Sequence, residues 1–492
     1  CPCLTFYYLI KLPVFLFHII KDIILCSTTS EIDAQVMVSA LLISCLEVFD
    51  GYKADILYNV YKQSENEVLK QKALVAFVLC TNNSDSAYDL KLRPLKPTLV
   101  ANIQRQIFYM TDSPRVEQIM QNEIMPDVIK NSEFDFKNNQ IIKKNQDKLD
   151  DILNPHKDEE MIEKMEETMK RMKHLQDQGS DLFFGGFKHI KQNPFFGTIM
   201  NWLCPFYLDH PQLPKIEDDT DNRIIRKLIG RTPFCESDKY SFMLSMNRAL
   251  ATIPKEMKDM IINGEAQLDI VGSDITRNSA YVRRTYLQDL FRFYQLCYYA
   301  KSLHNPFGQS NQQSIITSKF LHLEMPEYDD CAISLCKTLR KLGMKQTLHE
   351  MLSQWQPITN KGKIYLAFCE LEKNEPETAV SIFEEILTDE PHNIQALFGL
   401  TKACFELTSS GSTVGSNSFR AHQTDALNSL LALYFKNEKD MSVQHTLIKA
   451  HLMVGETDKA LKLGGELVAE DKAEAFVVAL IGVSSLAQGD IK

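Results

Sequence analysis

Apolar residues recur three and four positions apart along most of this chain, with polar residues between them, and that spacing predicts helices rather than strands. Over residues 31–49 the stripe runs through Val38, Leu41, Leu42, Cys45, Leu46 and Phe49, with Ser30 as its N-cap and Asp50 and Gly51 after its end. Helices are expected next over residues 54–63 and 65–80. After a loop at 81–97 they resume over 97–109 and 114–130. Ser113 is expected to cap the last of these, with Pro114 at the first helical position, where a missing N–H is tolerated. Further helices are expected over 159–178, 218–228, 238–250 and 279–304. The last carries Leu287, Leu290, Phe291, Tyr294, Cys297 and Tyr298 on a stripe wide enough to be buried on most sides.

The fold class expected is therefore all-α. The paired helices of residues 1–130 resemble a HEAT-type hairpin array. Residues 131–158 are polar and charge-rich and read as a surface linker. A second helical domain is expected over 159–304, and its first helix carries Met161, Met165, Met169 and Met172 on one face, a core-facing stripe or a surface for partner capture. Within that domain, residues 179–211 crowd Phe183, Phe184, Phe187, Phe195, Phe196, Trp202, Phe206 and Tyr207 among glycines and prolines. Large rings supply burial where the backbone is irregular, so this segment reads as a packed connector between helical arrays, with a ligand or partner pocket as the sharper alternative. Residues 305–328 form a second polar linker.

Residues 329–492 read as a repeat array, with a fixed period from Asn360 onward. The segment 363–391 places Leu366 and Ala367 on one helix, Ala379 and Phe383 on the next, and Pro391 at the end. Leu400 stands 34 residues after Leu366, and Ala460 stands 34 after Ala426. The 47 residues between Ala379 and Ala426 are one such period plus 13, and a Ser/Gly-rich insertion near 409–421 accounts for the excess. Gly455 and Gly489 also stand 34 apart. This pattern resembles the tetratricopeptide repeat, and the linker and aromatic regions resemble those of large bacterial tetratricopeptide proteins of uncharacterised activity. The resemblance implies an α-α superhelix, a helical-repeat solenoid whose first helices line a concave face. The sequence departs from the repeat pattern at Lys363, Gly464 and Lys472, and residues 329–357 read as one more, divergent repeat with Gly343 at its turn. The last repeat has only its first helix before Lys492, so a continuing chain is expected.

Composition narrows the function. The net charge of -10 disfavours a nucleic-acid partner, and the lysines near 137–148 are interleaved with aspartates. The apolar start at 4–25 is interrupted by Lys11, Pro13, Lys21 and Asp22, which disfavours a membrane span. The 12 cysteines include no Cys-x-x-Cys pair, and reduced, buried thiols in a cytoplasmic protein are expected. His349-Glu350 lacks the second histidine of a zinc helix, and His210 is an isolated candidate beside Asp209. No catalytic residue, cofactor or metal is expected. The expected function is a scaffold or adaptor that binds a protein or peptide partner. Repeat phase assigns the contacts to Lys363, Tyr365, Phe368, Gln395, Phe398, Lys402 and Gln444. The alternatives are a membrane-associated organiser using 4–25, or an accessory region of a larger enzyme.

Overall fold

The computed structural model describes residues 14–81, 95–131, 134–137, 140–143, 157–216, 218–250, 258, 278–308, 327–409, 416–436 and 440–487. The first part of the apolar start, most of both linkers, the core of the Ser/Gly-rich insertion and Gly489 lie outside these residues. The described secondary structure is helical apart from one short hairpin. The chain divides into two compact units, residues 1–323 with 337–348, and residues 324–336 with 349–492.

The first unit opens with α1 (Val14–Leu25), α2 (Glu31–Glu47), α3 (Gly51–Gln63) and α4 (Glu67–Thr81). Ser30 caps α2 as its position predicts, its Oγ accepting the Asp33 N–H at 3.1 Å. Asp50 does the same for α3 through the Tyr52 N–H at 2.9 Å. These side chains satisfy N–H groups that have no partner inside a first helical turn. Helices α5 (Pro97–Thr111) and α6 (Ser113–Ile119) follow. Here the start lies one residue earlier than expected: Ser113 is the first helical residue and Asp112 stands at the cap position, with its carboxylate gripping Arg115 at 2.8 and 2.5 Å. Proline is tolerated throughout the first turn, so Pro114 does not fix which residue begins it. A π-helical turn, Met120–Ile124, joins α6 to α7 (Met125–Asn131). Pro126 follows at once, and its missing N–H and bulky ring disrupt the bonds to the preceding turn, which accounts for the widening.

The expected linker contains an antiparallel pair, β1 (Phe134–Lys137) and β2 (Gln140–Lys143), in register Phe134–Lys143 and Phe136–Ile141. Each strand is only four residues long, too short for alternation to stand out from a polar stretch. Then come α8 (Lys157–Gln178), α9 (Phe184–Lys188), α10 (Met200–Leu203), α11 (Asp219–Arg231), α12 (Glu236–Leu250) and α13 (Ser279–Leu296). Along α8, Thr168 is buried, Met165 and Met172 are half-buried, and Ile162 and Met169 are exposed. Helix α13 is the hub, packing on α4, α5, α10 and α12. Tyr286, Leu287, Leu290, Phe291, Arg292 and Phe293 are all buried there, as its wide stripe requires. It ends at Leu296, short of the expected 304, and a 3-10 turn, Tyr298–Ser302, takes over.

The second unit contains α16 (Asn360–Glu372), α17 (Pro376–Asp389), α18 (Ile394–Ser409), α19 (Ser416–Lys436), α20 (Met441–Met453), α21 (Thr457–Ala469) and α22 (Ala475–Ala487). Before them lie α14 (Glu327–Leu342) and α15 (Lys345–Gln354), which the division between the units crosses. From α16 to α22 each helix packs on the next, and α18 also packs on α16 and on α20. One core runs from α16 to α20, including Ala367, Ala379, Phe383, Ala403, Leu430 and Leu447, and a second, of Ile448, Ala460, Leu467 and Val477, joins α20 to α21 and α22. The turns after α14, α16 and α20 close in one way. The N–H of Met344, Glu375 and Glu456 donates to the carbonyl of Leu339, Glu370 and His451, five residues back, at 2.9 to 3.0 Å. That closure needs a left-handed residue just before. Gly343, Asn374 and Gly455 supply it, with φ of 71°, 62° and 80°.

Candidate functional site

Two places in the fold gather side chains with chemistry. The first is the surface to which repeat phase assigned partner contacts. Phe368 on α16 and Phe398 on α18 are both half-buried, with ring centroids 6.3 Å apart. Phe368 also stands edge-on to the buried ring of Phe383 at 5.3 Å. Tyr365, one turn before Phe368, lies 6.2 Å from the ring of Trp355. On α18 the exposed Gln395 and half-buried Lys402 flank Phe398 by one turn on either side. Lys402 Nζ is 3.9 Å from Glu406 Oε1. Lys363 turns instead toward α17, with Nζ 2.7 Å from Glu385 Oε1. Gln444 is buried, and its Nε2 donates to the Leu463 carbonyl at 3.2 Å. A periodic register assigns a residue to a face, but an amide side chain can fold back to satisfy a carbonyl, and here it does.

The loop before α16 is fixed by one carboxylate. Asp329, 1% exposed, accepts the Trp355 Nε1–H at 3.2 Å, the Ile358 and Thr359 N–H groups at 3.0 and 2.6 Å, and the Thr359 hydroxyl at 2.6 Å. A Cβ on Gly362 would come within 2.5 Å of the same carboxylate. Trp355 is thereby held beneath Tyr365.

The second place is the aromatic segment of the first unit. Its rings are set by packing within that unit: Phe184 against Phe291, Phe195 against Tyr240, and Phe196 against Trp202, at 5.4, 4.9 and 5.0 Å. Trp202 Nε1 donates to the Phe196 carbonyl at 2.8 Å. A buried charge network pins the first half of the segment, at Asp181 and Lys191. Arg292 on α13 makes two bonds to Asp181 at 2.6 and 3.1 Å, and reaches Asp238 on α12 at 2.9 and 2.7 Å. Lys191 Nζ is 3.1 Å from Asp238, and 4.4 Å from the centroid of the Phe196 ring. Asp289 accepts the first N–H groups of α12, from Glu236 and Ser237, at 3.2 and 2.8 Å.

Burial sets the protonation of these groups against their charged forms. It opposes the charge on Arg292, but Asp181 and Asp238 outweigh it and hold the guanidinium pKa well above its ordinary value. Burial lowers Lys191 and Lys72, with Asp238 and Glu236 respectively restoring part of the loss. It raises Asp289, and the neighbouring Glu236 adds to the rise. Sequence reading missed this network because Asp181, Asp238 and Arg292 meet across separations of 111 and 54 residues.

Beside the network, residues 208–216 enclose a recess of about 280 Å³ against α11 and α12. Asp209, His210, Lys215 and Asn222 line it together with Leu208, Ile216 and Met243. His210 is buried and its Nδ1 accepts the Gln212 N–H at 3.2 Å, so the Asp209–His210 neighbours form no dyad with each other. Burial lowers the imidazole pKa.

Among the described residues no group of three or more His, Cys, Asp or Glu side chains is placed to hold a metal ion. No described helix is long and apolar enough to cross a membrane. No protein-family model matches the chain, and none of the curated proteins or solved structures matches it either.

Proposed function

We propose that the second unit is a tetratricopeptide-type repeat array and that the chain is a non-catalytic scaffold. A partner's peptide or helix is bound on the face that α16 and α18 share. The observation that carries this reading is the half-buried pair Phe368 and Phe398, bordered by Tyr365, Gln395 and Lys402. Apolar rings ringed by polar groups on the rigid faces of two packed helices suit the anchors of an amphipathic helix. Recurring left-handed turns and the 34-residue spacing support the superhelix. The thiols support a cytoplasmic location, because the described cysteines are reduced and all but Cys26 are buried.

The test is selection of peptides from a random display library on the full chain, followed by affinity measurement for the enriched sequences. Tyr365→Ala and Phe398→Ala are each expected to weaken binding at least about tenfold, as loss of a central aromatic anchor does. Retention of full affinity by both variants overturns the reading.

A further inference from the structure

The recess in the first unit presents polar groups that the fold leaves uncommitted. His210 Nδ1 takes a backbone N–H, so the neutral ring carries its proton on Nε2. That Nε2–H has no hydrogen-bond partner among the described residues. Asn222 uses its Oδ1 to accept Arg226 Nε–H at 3.2 Å, which leaves its NH₂ group as a donor. Lys215 and Asp209 are exposed at the same recess and carry opposite charges.

Two acidic groups at the start of α11 are already engaged. Asp218 caps α11 through the Thr220 and Asp221 N–H groups at 2.6 and 3.3 Å, and Asp221 lies 2.7 Å from Lys258 Nζ. Leu208, Ile216 and Met243 supply an apolar wall. A volume of about 280 Å³ falls just below the roughly 300–1,000 Å³ of drug-sized ligand sites, which suits a molecule smaller than a nucleotide or a long acyl chain.

We propose that this recess binds a free α-amino acid with an aliphatic side chain. Lys215, His210 Nε2–H and the Asn222 amide receive the carboxylate. Asp209 receives the ammonium, and the side chain packs against Leu208, Ile216 and Met243. A ligand with only one of the two charges leaves either the carboxylate or the ammonium of the recess without its counterpart. This site is independent of the partner face in the second unit.

L-leucine titrated into the full chain by calorimetry tests it, beside 4-methylpentanoate and 3-methylbutylamine, each of which lacks one charge. Saturable binding of L-leucine is expected, with affinity at least about tenfold weaker for either analogue. Lys215→Met and Asp209→Asn are expected to weaken L-leucine by a similar factor; both side chains are exposed, so the variants keep the fold. His210→Phe keeps a ring in place and removes the Nε2 donor together with the Nδ1 acceptor of the Gln212 N–H, and it is expected to weaken L-leucine as well. Absence of saturable heat with leucine, isoleucine, valine and methionine up to about 10 mM overturns the proposal. So does equal affinity for 4-methylpentanoate, or unchanged affinity in both charge variants.

Discussion

The ring of Phe383 occupies the space that a Cβ on Gly399 would fill. Phe383 is fully buried on α17 and Gly399 sits on the facing side of α18, so the two helices approach as closely as they do because one residue has no side chain. Helix propensity alone favours Gly399→Ala by about 1 kcal/mol. Overpacking a core costs roughly 1–3 kcal/mol. The overlap wins, and the variant is expected to be less stable by about 1–2 kcal/mol, read as a lower urea midpoint. A raised midpoint would show that the ring moves aside freely.

Asn374 and Gly455 hold equivalent turns with φ of 62° and 80°. A left-handed backbone costs a residue with a Cβ roughly 1–2 kcal/mol, less for asparagine. Asn374→Gly is therefore expected to raise the thermal midpoint slightly, whereas Gly455→Ala lowers stability by about 1 kcal/mol. Scanning calorimetry of both variants checks that the shifts have opposite signs.

These turns also show what the sequence discloses about the fold. Gly343 and Gly455 are visible as turn residues, but Asn374 does the same work without the glycine signature. Helix positions follow from periodicity because burial of one face is a local, repeating demand, and α2, α3 and α4 lie within three residues of expectation at either end. The Asp181–Arg292–Asp238 network is not local. Each member resembles a surface charge in sequence, and only the packing of α12 and of the turn before α9 against α13 gives it a partner. The candidate face was legible in part: phase places Phe368 and Phe398 on neighbouring helices, yet it could not foresee that Gln444 turns inward to the Leu463 carbonyl or that Lys363 turns to Glu385.

Arg292→Met removes the cation but leaves Asp181 and Asp238 buried as anions. Breaking a buried pair from one side typically costs about 3–5 kcal/mol. The first unit is expected to lose stability on that scale, measured by chemical denaturation at neutral pH. Adding Asp181→Asn and Asp238→Asn to that variant is expected to recover part of the loss, since neutral amides tolerate burial better than carboxylates. A triple variant no more stable than Arg292→Met would show that the charges are not the source of the cost.

His210 titrates below the ordinary imidazole range because burial disfavours its charged form. The unfolded chain therefore binds this proton more readily. The contribution of His210 is fully present above a pH of about 6.5 and is lost as pH falls through the lower folded value. Relative to His210→Phe, the wild-type chain is expected to lose thermal stability on going from pH 7 to pH 5. Identical pH profiles for the two proteins would contradict this placement of the ring.

The chain has 2 tryptophans. Trp202 is sealed among the rings of the first unit and Trp355 is tethered to Asp329 in the second. Each compact unit thus carries its own intrinsic fluorophore. With Trp355→Phe, emission reports the first unit alone, and with Trp202→Phe it reports the second. Coincident unfolding curves from the two variants would mean that the units melt as one cooperative body; separate curves would mean that the partner face can open while the recess stays folded.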